Sequence, residues 1–126
     1  MNFIAVFIGG GLGSLARYAL GLAVGKMGWM SPWATLASNA LATALLLTLM
    51  AHAAAATAGW PGKSQSVYML WTVGFCGAFS TFSTFAADTL SLHATHGWVW
   101  SAANVLANVV LCLVVGYAVW TTSAAS

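Results

Sequence analysis

The run Gly74-Phe75-Cys76-Gly77-Ala78-Phe79-Ser80-Thr81-Phe82-Ser83-Thr84-Phe85 concentrates the side chains of this sequence that can do chemistry. Two glycines and then four hydroxyl residues interrupt an apolar pattern, and Phe82 and Phe85 stand three apart, on one face of a helix. Hydroxyls donate hydrogen bonds, and phenyl edges carry the positive end of the ring quadrupole. These are the groups that a desolvated anion needs. A well-packed helix whose hydroxyls bond back to its own carbonyls is the alternative, and it does not call for so many of them. Asn39, with Thr35, Ser38 and Thr43 nearby, adds two N–H donors. Its amide suits an anion path and a bond between helices equally well. Asn104, Asn108 and Cys112 recur at i, i+4 and i+8, one polar stripe that fits the wall of a path or a contact with a neighbouring helix. Arg17 is the one charge deep in the first apolar run, where an arginine is either functional, paired or snorkelling to the interface. Asp88, the sole acid, follows the hydroxyl run by one turn and suits pairing with Arg17 or capping a helix.

Other chemistries find no support. Cys76 and Cys112 sit in apolar runs, as buried free thiols do, and no CxxC pair points to zinc or redox work. His52, His93 and His96 fall near predicted helix ends without a metal-ligand spacing. Nothing resembles a Ser-His-Asp set, so an enzyme is not expected. Gly9 and Gly11 fit the start of GxGxxG, but Ser14 replaces the last glycine and no strand precedes it. A formal charge of +2 with no basic patch offers no surface for nucleic acid.

The elements that position these residues follow from composition. With 61% hydrophobic and 3% charged residues, the 126-residue chain suits lipid rather than water as its solvent. Four segments are long and apolar enough to span a bilayer as helices, about residues 2–24, 32–55, 67–93 and 98–120, in a single membrane domain. Pro32 is placed to start the second. No positive n-region precedes the first run, which is therefore expected to stay in the mature protein. Short connections are expected at Gly25 to Trp29, Gly59 to Ser64 and His93 to Gly97, and a fraying tail from Thr121 to Ser126. Trp29, Trp33, Trp60, Trp71, Trp98, Trp100 and Trp120 fall near the predicted ends, as interfacial tryptophans do. Gly9 and Gly13 form GxxxG, which lets helices approach closely. The break in the third helix lies in mid-membrane, where irregular backbone survives only if protein or a cavity covers it. Lys26 and Arg17 nearly balance Lys63 and the amino terminus, so insertion in both orientations, and with it an antiparallel dimer, becomes possible.

The hydroxyl and glycine run resembles the signature of the Fluc (CrcB) fluoride channels. Gly9-Gly10-Gly11-Leu12-Gly13-Ser14 with Arg17-Tyr18, and Thr35-Leu36 with Asn39, are similar to that family's first-helix and second-helix motifs, and the resemblance covers the whole chain. It implies an all-α membrane protein whose third helix is broken. It further implies an antiparallel dual-topology homodimer in the bacterial inner membrane, surrounded by lipid, with a structural sodium ion at its centre. Its function would be passive fluoride export that relieves cytoplasmic fluoride toxicity. By that resemblance Asn39 donates to the anion, Phe82 and Phe85 offer ring edges, and Ser83, Thr84 and Asn108 line a polar track. A break near Gly77 and Ser80 turns their backbone carbonyls to the sodium, and Arg17 matches the first-helix arginine. Ser80 stands where the family usually has threonine, Ala42 where a small glycine is usual, Ala86 where serine is common, and Asn108 and Cys112 where hydroxyls often line the track. The main rival, a small four-helix proton-coupled multidrug exporter, depends on an early membrane-embedded carboxylate, and the first helix here has none.

Overall fold

The computed structural model describes residues 2–55 and 65–124. They form helices throughout, with no strand among the described residues: α1 Asn2–Lys26, α2 Ser31–Ala55, a third span in several pieces, and α6 Trp98–Ala124. The third span comprises α3 Gln65–Met69, a π-helical stretch Leu70–Cys76, α4 Gly77–Phe79 and, past a break, α5 Phe82–His96. At 1.5 Å per residue, 25 residues extend about 37 Å, enough to cross a hydrocarbon core of about 30 Å. Four helical stretches qualify as spans by length and composition. The connection at Gly59 to Ser64, with Trp60 and Lys63, lies outside the described residues.

The other connections are tighter than the sequence suggests. Helix α1 continues through Lys26, and the turn to α2 uses Gly28 at φ 75°. A single residue, Gly97 at φ 88°, joins α5 to α6, and its N–H donates to the His93 carbonyl. Both angles lie in the left-handed region that glycine enters without steric penalty, so one residue turns the chain where five were expected. The expected fraying of Thr121 onward does not occur through Ala124. The hydroxyls of Thr121 and Thr122 bond back to carbonyls of Tyr117, Ala118 and Val119, one turn earlier.

Helix α1 packs on the first half of the third span, and α6 packs on α2 and α5. Glycine makes the first of these contacts possible. Gly9 and Gly13 are buried, whereas Gly10 and Gly11 face open space. A Cβ at Gly9 would run into the Leu70 carbonyl oxygen, and one at Gly13 into that of Phe75. On the opposite helix, a Cβ at Gly74 would stand 2.9 Å from the Gly9 Cα. The backbones therefore meet with no side chain between them. The carbonyls involved belong to the π-helical stretch, whose wider turn shifts the backbone toward α1. Few apolar side chains are buried among the described residues: Ala5, Val24, Ala42, Cys76, Phe79 and Leu92 make up the apolar core.

Gly13→Val forces these backbones apart and is expected to destabilise the protein by about 3 kcal/mol or more. Gly25→Ala, in open space, should leave stability within ~0.5 kcal/mol. Thermal unfolding in detergent compares the two.

Candidate functional site

The third span breaks at Ser80 and Thr81, both in extended conformation (φ/ψ −73°/156° and −155°/116°). Gly77 does not break it: its backbone is helical, φ −63° and ψ −34°. The glycines of the motif thus serve close approach and helix continuity, and the hydroxyl residues make the break. Ser80 closes the first half, its N–H 3.0 Å and its Oγ 2.9 Å from the Cys76 carbonyl. Thr81 starts the second half as its N-cap, Oγ1 accepting from the Thr84 N–H at 3.2 Å.

The break leaves the Thr81 N–H without a helical acceptor, and Asn39 supplies one. The Thr81 N–H donates to Asn39 Oδ1 at 2.8 Å. The Asn39 amide nitrogen donates to Asn108 Oδ1 at 3.2 Å and lies 3.5 Å from the Thr81 carbonyl. Asn39 thereby joins α2 to the break and to α6 at one point.

Two cavities flank this point. An open cleft of about 330 Å³ is lined by Asn39, Thr43, Ser80, Thr81, Phe82, Phe85, Asn108, Val109 and Cys112. Asn39, Phe82, Phe85 and Asn108, expected along an anion path, therefore share one wall. The two rings lie 5.6 Å apart, tilted by 52°. Phe82 is 79% exposed, so one side of the cleft is uncovered. The second cavity, about 230 Å³, is lined by Ser14, Arg17, Thr35, Ser38, Thr81, Thr84 and neighbours. Thr84 therefore sits with Arg17, whose Nη1 donates to Thr84 Oγ1 at 3.4 Å. Thr81 lines both cavities. Ser83 is exposed beside it, the two hydroxyls 3.4 Å apart.

Asp88 neither pairs with Arg17 nor caps a helix. It is buried in the second turn of α5, and its Oδ2 accepts from the Thr35 hydroxyl at 2.6 Å. Ser38, fully buried, donates to the Thr35 carbonyl at 3.0 Å. Sequence reasoning missed the Thr35–Asp88 pair because its partners are 53 residues apart. It also gave Thr81 no role; a threonine directly before the apolar Phe82 carried an N-cap signal.

The break bears on whether Gly77 and Ser80 fit a sodium ion. In a continuous helix their carbonyls would accept from the N–H groups of Thr81 and Thr84. Here Thr81 donates to Asn39 and Thr84 to Thr81 Oγ1. Both carbonyls lose their helical donors, and an oxygen-only donor set suits a hard cation.

The family model described as "CrcB-like protein, Camphor Resistance (CrcB)" matches residues 4–120. Three similar proteins bear the name "Fluoride-specific ion channel FluC". The chain is 37% identical to that of Rhodospirillum rubrum over 121 residues, covering 90% of this chain and 88% of the relative. It is 37% identical to that of Geobacter sulfurreducens over 114 residues (90% and 89%). It is 38% identical to that of Nitrobacter winogradskyi over 109 residues (86% and 83%).

Thr35→Val keeps the shape of the side chain but leaves the buried Asp88 oxygen without its donor. It is expected to lower stability by about 1–3 kcal/mol. Thr35→Ser, which keeps the hydroxyl, should lose clearly less in the same detergent melt.

Proposed function

The chain belongs to the CrcB-like family, and on that premise we propose that it is a fluoride-specific ion channel. It is a multi-pass protein of the bacterial inner membrane and not an enzyme. Fluoride leaves the cell through it passively, down the electrochemical gradient, which limits fluoride toxicity. One observation carries the reading to this chain's own residues: a helix break in mid-span, bonded by Asn39, opens onto a cleft lined by amides and phenyl rings.

Fluoride is small and strongly hydrated, and the path must replace its water. Asn39 has two amide hydrogens. One is held by Asn108; the other faces the Thr81 carbonyl at 3.5 Å, the outer limit of a hydrogen bond, and is the donor an ion can take. Phe82 and Phe85 supply positive ring edges. Arg17, in the cavity beyond Thr81, raises the local anion concentration from its side. Thr84, Ser83 and Asn108 continue the polar surface. Asp88 lies outside the cleft, tied to Thr35, so no acid stands in the path to carry a proton.

The working unit in this reading is an antiparallel homodimer. Phe82 at 79% exposed and the bare outer face of α6, with Leu106 and Leu113 both above 60%, support a second copy on the open side of the cleft and lipid elsewhere. A sodium ion at the dimer centre would be held by the Gly77 and Ser80 carbonyls, and it would fix the two breaks to each other.

Purified protein in liposomes, read with a fluoride electrode, tests the function. Fluoride should leave without a proton gradient and chloride should not; equal passage of both ions would overturn the selectivity. Phe82→Ile and Phe85→Ile should cost about 1.5 kcal/mol of stability or somewhat more. They should nevertheless lower flux by more than about tenfold. Asn39→Asp should abolish flux.

Dual topology is checked by labelling cysteines introduced at the exposed Met27 and Thr121 with an impermeant reagent. Labelling of about half of each population is expected, and one-sided labelling would rule the antiparallel pair out.

A further inference from the structure

We propose that Thr89 and Asn104, neither of which lines the cleft, are positioning residues that set which way the Asn39 amide faces. The proposal rests on the fluoride-channel reading. It comes from a chain of hydrogen bonds that all run in one direction. The Thr81 N–H donates to Asn39 Oδ1 at 2.8 Å, and Asn39 Nδ2 donates to Asn108 Oδ1 at 3.2 Å. Asn108 Nδ2 donates to Asn104 Oδ1 at 3.2 Å and to the Asn104 carbonyl at 3.1 Å. Asn104 Nδ2 donates to Thr89 Oγ1 at 2.8 Å, and Thr89 Oγ1 donates to the Phe85 carbonyl at 2.7 Å.

The ends of this chain are backbone groups, and their roles cannot be exchanged. At one end is an N–H, which only donates; at the other is a C=O, which only accepts. Three asparagines lie between them, and an amide side chain can rotate by half a turn at little intrinsic cost. Rotating one alone would set donor against donor. Rotating all three would present Asn39 Nδ2 to the Thr81 N–H. Thr89 holds the far end: its proton is committed to Phe85, so its oxygen accepts, and Asn104 must turn its nitrogen toward it. Asn104 Oδ1 then faces Asn108, and Asn108 Oδ1 faces Asn39. The result at the cleft is that Asn39 shows N–H rather than carbonyl oxygen. Asn104 and Asn108 are both buried, so water does not compete for these bonds.

Thr89→Val removes the hydroxyl and keeps the shape. It should lower initial fluoride efflux about fivefold, the scale of one net hydrogen bond of ~1 kcal/mol. It should also speed hydrogen exchange of the Thr81 amide, a readout independent of transport. Thr89→Ser, which retains the hydroxyl, should bring both back to within about twofold of the parent. Asn104→Leu interrupts the same chain one link on, in case Thr89→Val folds poorly. Because both act through one chain, the double variant should be no worse than the more affected single one. Parent-like flux and Thr81 exchange in both single variants would overturn the proposal, and so would a Thr89→Ser as impaired as Thr89→Val. If the parent passed no fluoride, the channel reading would fall, and the exchange measurement would still decide the relay.

Discussion

The bond from the Thr81 N–H to Asn39 Oδ1 is the contact on which the rest of this structure depends. Membrane interiors offer no water to a backbone group that leaves its helix, and an unsatisfied N–H there costs several kcal/mol. A break in mid-span therefore has to come with its own acceptor. Asn39 is that acceptor, and its position dictates others. Helix α2 must lie against the break, and α6 must bring Asn108 to one of the Asn39 amide hydrogens. The N-cap of α5 must come from within the break, which Thr81 Oγ1 supplies. The same bond that makes the break tolerable withdraws the Thr81 N–H from the Gly77 carbonyl, so an oxygen is freed for other use.

The glycines of α1 and the π-helical stretch are the other half of this arrangement. A break can be held still only if the helix leading into it is held still. Gly9, Gly13 and Gly74 bring two backbones together without side chains, leaving little freedom to slide. The π-helical stretch occupies the seven residues Leu70–Cys76, which end one residue before α4. Only the short α4 separates the rigid crossing from the irregular backbone, so positional precision at Thr81 derives from packing about one turn earlier.

Much of this was legible in the sequence, for identifiable reasons. Apolar length fixes the four spans, because no soluble fold accommodates so few charges. The density of hydroxyls after Gly77 marked the third span as irregular, while Asn39 suited an anion path and an interhelical bond equally well. Less legible was which residue carried the irregularity. Glycine reads as a breaker, yet Gly77 is helical while Ser80 and Thr81 are extended. The outcome turned on Asn39, 42 residues away, and local propensity cannot report an acceptor at that distance. For the same reason Asp88 was assigned a choice between Arg17 and a cap, whereas its partner is Thr35. The connections were overestimated because a single glycine at positive φ can do the work of a loop.

The distribution of charge explains how such a site can favour an anion yet let it go. A fixed lysine beside the cleft would bind fluoride strongly, and conduction needs binding weak enough to leave. The cleft instead presents neutral donors and ring edges, several of them partly engaged with the protein's own oxygens. An ion entering the proposed path would exchange one set of hydrogen bonds for another, so neither the occupied nor the empty state would leave a buried donor orphaned. Among the described residues, the cation beside the cleft, Arg17, is set back in the neighbouring cavity, with Thr84 between it and Thr81. From there, in the proposed channel, it would attract anions without becoming their final ligand. The one acid, Asp88, is held away from the cleft by Thr35. In the proposed channel, full charges would thus shape approach, and partial charges on amides, hydroxyls and rings would do the dehydration.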